Sequence, residues 1–108
     1  MRTSQLGSLA MRSRRDGDAH VVQLIGELDL DGAPRLEEEL HEAESGDAAS
    51  IVIDLRELQF IDSTGIRLLV MASERCGHER LTLLRGPAQV HRVFEMTDLV
   101  DRLPFESV

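Results

Sequence analysis

Two strongly apolar segments, joined by a short polar linker, constrain the fold of this chain more than any other feature. Residues 51–55 read Ile-Val-Ile-Asp-Leu, and a run rich in Ile, Leu, Val, Met and Ala extends from position 64 to position 75. A strand this continuously apolar is typical of one buried on both faces at the centre of a sheet. The helix predicted over 64–75 is apolar on most of its sides, so we expect it to be largely buried as well.

Strands and helices alternate along the rest of the chain. Further strands are predicted over 8–13, 20–28 and 81–84, and further helices begin near residues 33, 87 and 97. This order favours an α/β domain with right-handed crossovers, built on a mixed, mostly parallel sheet of four to five strands with about four helices. We expect one domain over 8–106, preceded by an N-terminal extension over 1–7, with Asp31 capping the first helix.

Composition narrows the classes of function. The chain has 108 residues, 3% aromatic residues without Trp or Tyr, and a formal net charge of −8. Few aromatic rings argue against base stacking, and the negative charge argues against binding of a phosphate backbone, so no direct nucleic acid partner is predicted. The last 88 residues carry eight arginines against eighteen acids, which suits a basic protein partner and is equally consistent with solubility alone.

The cellular compartment is also constrained. A single cysteine, Cys76, excludes an intramolecular disulfide and fits a reducing compartment. No run approaches the roughly 20 apolar residues of a membrane span, and the first residues lack the apolar core of a signal peptide. We therefore expect a cytoplasmic protein that has no membrane partner.

The linker between the two apolar segments ends in Asp-Ser-Thr-Gly at positions 62–65. A serine at this point is expected to be exposed at a helix N-terminus, where backbone amides and the positive end of the helix dipole tolerate a phosphate. Ser63 is therefore a candidate switch residue. The alternative is an ordinary N-cap, in which the Ser63 hydroxyl only accepts a backbone N–H.

Other patterns in the chain do not form catalytic or metal sites. A serine nucleophile needs a positioned base, and none of the four histidines is identifiably placed for that role. Gly65 comes three residues after Asp62, whereas aspartic proteases have Asp-Thr-Gly. A calcium loop beginning at Asp29 would have its glycine at the fourth position instead of the sixth and would lack the carboxylate required at the twelfth. A pair formed by Cys76 and His78 supplies too few ligands for a metal site. We predict no enzyme activity, metal or cofactor.

Three segments carry a resemblance to a known family. They are residues 26–29 (Gly-Glu-Leu-Asp), residues 62–65, and residues 90–99 (Val-His-Arg-Val-Phe-Glu-Met-Thr-Asp-Leu). Together they resemble single-domain STAS proteins of the anti-sigma factor antagonist, or anti-anti-sigma factor, family. The resemblance covers roughly residues 8–106 and implies a STAS fold.

The resemblance also implies a mechanism. In phosphorylated members, an anti-sigma factor that is a GHKL-type serine kinase modifies the first hydroxyl after the Asp, and a PP2C-type phosphatase removes the phosphate. Only the unphosphorylated form holds the kinase and so releases the sigma factor. Transferred to this chain, the phosphoacceptor is Ser63 and the partner-binding residues are Glu27, Asp29, Asp62, Thr64 and Gly65. The fold also serves constitutive scaffolds and transporter accessory subunits, which remain the alternative.

A separate prediction concerns the role of Gly65. A glycine in the first helical turn lets the backbone of a kinase or phosphatase approach Ser63 closely. On this interpretation, Gly65→Val should impair phosphorylation more than folding.

Overall fold

Five strands form one mixed sheet in the computed structural model, which describes residues 2–6 and 8–106, with side chains from residue 8 onwards. In spatial and chain order they are β1 (Arg2–Leu6), β2 (Leu9–Asp16), β3 (Ala19–Leu28), β4 (Ser50–Ile61) and β5 (Leu81–Leu84). The first three strands pair antiparallel, and β4 and β5 continue the sheet in parallel with β3. The predicted α/β class with a mixed sheet is confirmed.

Two helices, α1 (Ala33–Ser45) and α2 (Ser63–Cys76), connect the parallel strands, as a parallel pairing requires. A third, α3 (Ala88–Met96), follows β5 and is itself followed by a 3₁₀ turn at Val100–Arg102. The predicted number of about four helices is therefore confirmed. In the described part of the chain, none of the helices is both long and apolar enough to cross a membrane.

The core lies around β4. Ile51, Ile53 and Leu55 are fully buried, and Leu69 of α2 and Phe94 of α3 are buried with them. The predicted burial of residues 51–55 is confirmed, although β4 is the fourth of five strands and β3 occupies the centre of the sheet. The helix α2 is less enclosed than expected, because Arg67 and Met71 lie on an exposed face.

The structure differs from the expectation at two strands. Residues 2–6 form β1, an edge strand, although their sequence is polar and shows no clear apolar alternation. Strand β4 continues six residues past position 55 and stays paired with β3 through two irregularities in register. The extension matters for the site, because it brings the end of β4 level with the end of β3.

The start of α1 also differs from the prediction. Gly32 is the N-cap residue, and no side chain caps the helix. The Asp29 Oδ1 atom instead accepts hydrogen bonds from the amides of Asp31, at 3.1 Å, and Gly32, at 3.3 Å. The predicted capping role of Asp31 is therefore wrong, because the polar turn is closed by the aspartate two residues earlier.

Candidate functional site

The carboxyl ends of β3 and β4 meet at one edge of the sheet. Leu28 pairs with Ile61, and the Asp62 amide donates to the Leu28 carbonyl oxygen at 3.2 Å. The turn after β3 and the first turn of α2 are thereby held side by side. We call residues 27–32 and 60–65 the Ser63 edge.

Asp62 begins α2 and fixes the position of Ser63. The Asp62 Oδ1 atom accepts hydrogen bonds from the Thr64 amide at 3.0 Å and from the Gly65 amide at 3.1 Å. Ser63 is therefore the first residue of the helix, and its side chain is exposed. Its hydroxyl has no hydrogen-bond partner among the residues whose side chains are described. The capping alternative for Ser63 is wrong, because Asp62 is the N-cap.

The Asp62 cap also determines what a phosphate on Ser63 would meet. The two first-turn amides that Asp62 occupies belong to Thr64 and Gly65. A phosphate at Ser63 would add about −1.5 to −2 charges beside a carboxylate that already holds these donors. Such a group would face solvent beside Asp62 instead of joining the helix cap.

Gly65 lies inside the domain. A Cβ atom added to it would stand 2.6 Å from Leu28 Cγ, 2.8 Å from Leu28 Cδ2 and 3.0 Å from Ile61 Cγ1. Contacts this short do not occur between real side chains, so only a glycine lets α2 pack this closely against the ends of both strands. The interpretation of Gly65 as an opening for a partner's backbone is therefore corrected, because the residue packs against the core.

The other predicted partner-binding residues lie together on the Ser63 edge. Glu27 is exposed at the end of β3. Asp29 is half-buried, and its carboxylate closes the turn described above. Thr64 is half-buried, and its amide is bound by Asp62. The edge thus combines a free hydroxyl with several carboxylates.

Two apolar residues of this edge were not predicted as part of the site. Leu30 is 70% exposed in the turn after β3, and Phe60 is 49% exposed beside Glu27, its register partner on β3. The sequence offers only a weak signal for them, because single apolar residues such as a leucine between two aspartates are common on protein surfaces. The site therefore includes apolar as well as acidic surface.

Metal binding finds no support in the described residues. No group of three or more His, Cys, Asp or Glu side chains comes together there in a way that could hold a metal ion. Cys76 is half-buried against the core. Burial raises its thiol pKa, which is the opposite of what a metal ligand or a reactive thiolate requires.

Comparison with known proteins places this geometry in context. A family model described as Mlab, STAS domain matches residues 11–104. An anti-sigma-B factor antagonist of Listeria monocytogenes is 32% identical over 96 residues, which are 87% of this chain and 84% of that protein. The crystal structure of an anti-sigma factor antagonist from Mycobacterium paratuberculosis matches with a TM-score of 0.82 and 28% identity, over 94% of this chain and 87% of that one.

A more distant structure shares the fold. It is the Bacillus cell fate determinant SpoIIAA in its phosphorylated form, with a TM-score of 0.65 and 21% identity. The match covers 90% of this chain and 91% of that one.

Proposed function

Because the chain belongs to the STAS domain family, we propose that it is an anti-sigma factor antagonist whose binding is switched off by phosphorylation of Ser63. The observation that carries the proposal is the exposed Ser63 hydroxyl at the first position of α2, which takes no part in capping the helix. The names of the relatives support the antagonist role. The phosphorylated form of SpoIIAA supports the modification, since it is a protein of the same fold.

The proposed partner is an anti-sigma factor that is itself a GHKL-type serine kinase. The unphosphorylated chain binds this kinase and so frees the sigma factor, and phosphorylation of Ser63 returns the kinase to the sigma factor. A PP2C-type phosphatase would reset the cycle. The site of action is then the cytoplasm, where sigma factors meet RNA polymerase.

The proposed contact surface is the Ser63 edge. Leu30 and Phe60 supply exposed apolar area of the kind that anchors an interface. Glu27, Asp29 and Asp62 surround it with negative charge, which suits a partner surface rich in Arg or Lys. Thr64 and Gly65 contribute indirectly, because the amides of both residues hold the Asp62 carboxylate in place.

Phosphate would act through charge and desolvation instead of refolding. The Asp62 cap remains in place when Ser63 is modified, because the serine hydroxyl is not part of it. A phosphate beside Asp62 must lose its water shell when a partner covers the edge, and its repulsion of the Asp62 carboxylate grows stronger once water is excluded. A coupling of about 1–3 kcal/mol is ordinary for a regulatory switch.

Phosphorylation of Ser63 is tested with the purified chain, ATP and the GHKL kinases encoded beside it. We expect one phosphate on the wild type, none on Ser63→Ala, and normal modification of the matched hydroxyl variant Thr64→Val. Intact-protein and peptide mass spectrometry give the count and the position. A phosphate mapped to Thr64 or to the buried Ser73 contradicts the assignment. A chain that binds its partner but is never phosphorylated would instead be a constitutive scaffold or a transporter accessory subunit.

The contact surface is tested by reversing one charge. Glu27→Arg should weaken kinase binding at least fivefold, because it places a cation where the proposed partner is basic. Glu27 suits this test better than Asp29, whose carboxylate also closes a turn. Glu79→Arg is the matched control. Glu79 is exposed just before β5, at the amino ends of the parallel strands, whereas the Ser63 edge lies at their carboxyl ends. Equal weakening by both variants, measured by titration calorimetry, would argue for a general charge effect without a defined interface.

A further inference from the structure

A cleft beside the first turn of α3 has no part in the proposed switch. Its volume is about 690 Å³, within the range of cavities that hold small ligands. It is lined by side chains from the segment that follows β5 and from α3, among them Arg85, Gln89, His91, Arg92 and Glu95. Most of these groups are polar, and two are permanent cations.

The two arginines of the cleft make no ion pair, which they share with Arg67 and Arg102 in the described part of the chain, but only these two face one cleft. In a chain with a net charge of −8, arginines readily find carboxylates. Ion pairs engage Arg14, Arg15, Arg35, Arg56 and Arg75. Arg85 and Arg92 are exposed, and neither makes an ion pair with any carboxylate among the residues whose side chains are described. Two unpaired cations therefore face one cleft.

His91 forms part of the cleft wall and is also incompletely satisfied. Its side chain is 5% exposed, and Phe105 packs against it edge-on with ring centroids 4.9 Å apart. The His91 Nδ1 atom has no hydrogen-bond partner among the described residues. Burial and the nearby Arg85 lower the pKa of His91 below its ordinary value of 6.5, although Glu95 opposes the shift. An imidazole with a buried, unbonded Nδ1 atom thus lies in the wall of a cationic cleft.

The backbone adds a further attraction for anions. Pro87 is the N-cap of α3, a helix of nine residues, and no side chain caps this end. The Val90 amide donates to the Pro87 carbonyl oxygen at 3.0 Å, so the amides of Ala88 and Gln89 are the first-turn donors that remain available next to Arg85, at the positive end of the helix dipole. Guanidinium groups and helix amides together match the several oxygens of a phosphate group better than the two of a carboxylate.

We propose that this cleft binds a small phosphomonoester that carries hydroxyl groups. The phosphate dianion is balanced by Arg85 and Arg92 and accepts hydrogen bonds from the first-turn amides of α3. Glu95 accepts a hydrogen bond from a ligand hydroxyl and disfavours a second anionic group. Nucleoside monophosphates and glycerol phosphates share this chemistry, whereas nucleoside triphosphates carry more charge than two cations balance.

The proposal is tested by titration calorimetry on the full chain. The probes are AMP and glycerol 3-phosphate, each paired with its parent alcohol, adenosine or glycerol, and inorganic phosphate is a fifth ligand. We expect saturable one-to-one binding of at least one phosphomonoester, weaker binding of inorganic phosphate, and no binding of either alcohol. Whichever phosphomonoester binds more tightly identifies the source of the phosphate. Absence of saturation by both phosphomonoesters at millimolar concentration overturns the proposal.

Substitutions of arginine test whether the phosphomonoester binds in this cleft. The double variant Arg85→Gln/Arg92→Gln should weaken phosphomonoester binding at least tenfold, and Arg67→Gln should change it less than twofold. Arg67 is the matched control, because it is an exposed arginine on α2 and does not line the cleft. Circular dichroism melts should show all three proteins equally folded, since the substituted side chains are exposed. Equal weakening by the control would reveal non-specific charge attraction and overturn the site.

An NMR titration gives an independent measurement. The imidazole signals of His91 should shift as the phosphomonoester saturates the wild-type chain and should stay unchanged in the double arginine variant. Unmoved His91 signals at saturation would place the ligand elsewhere and overturn the assignment. Ser63→Ala should bind the phosphomonoester as the wild type does, so the cleft and the proposed phosphorylation switch can fail separately.

Discussion

Gly65→Val is expected to destabilise the domain by about 3 kcal/mol or more, and Gly65→Ala by about 1–3 kcal/mol. Any Cβ at this position lies within 2.6 Å of Leu28 Cγ, and valine adds two methyl groups to the same space. The valine variant should therefore lose both folding and phosphorylation. Urea unfolding followed by circular dichroism measures the free energy of unfolding of each variant.

Two further variants test whether packing is the cause. Gly46→Ala is the matched control, because its Cβ would meet only ordinary contacts of 3.6 Å and its φ of −80° suits any residue. It should change stability by less than about 0.5 kcal/mol. Leu28→Ala removes the clashing side chain, so combining it with Gly65→Ala should cost less than the two single changes added together. A Gly65→Val protein with a normal melting temperature but no phosphorylation would contradict the packing role.

Phosphorylation of Ser63 should lower the affinity for the kinase at least tenfold, which corresponds to about 1.4 kcal/mol. The backbone and the melting temperature should change little, because the Asp62 cap does not involve the modified hydroxyl. The loss of affinity should persist at high salt, because salt screens exposed charges but acts much less on a phosphate and a carboxylate that the partner covers. Titration calorimetry of the two forms at low and high salt measures these effects.

Asp62→Asn provides the matched control for the charge argument. Asparagine caps helices about as well as aspartate, so the variant keeps the helix start while losing the neighbouring negative charge. The ratio of affinities between unmodified and phosphorylated forms should be smaller in this variant than in the wild type. The same ratio in both proteins would show that repulsion and desolvation beside Asp62 do not drive the switch. Equal affinity of the two wild-type forms would exclude the switch altogether.

Local patterns in the sequence predicted the parts of the fold that depend on local properties. The apolar run at 51–55 predicted a buried strand inside the sheet, and the Asp-Ser-Thr-Gly sequence located the start of the helix that presents Ser63. Gly77 follows the end of that helix with a φ of 77°, a conformation that glycine adopts without strain. Such signals need only neighbouring residues, so they can be recognised without the tertiary structure.

What the sequence did not predict depends on residues far apart along the chain. Gly65 is a packing residue because Leu28, on another strand, occupies the space that a side chain would need. The second half of β4 looks polar because residues such as Arg56, Glu57 and Gln59 reach solvent, yet pairing with β3 extends the strand through them.

The Asp62 cap has a consequence for protein turnover. Proteases that act on transiently opened molecules sample the population of unfolded chains, which depends on the free energy of unfolding. Because Asp62, and not Ser63, anchors the helix start, the modified and unmodified chains should open equally often and be degraded at the same rate. A cell could then keep a constant amount of this protein and change only the fraction that is active, without new synthesis when conditions reverse.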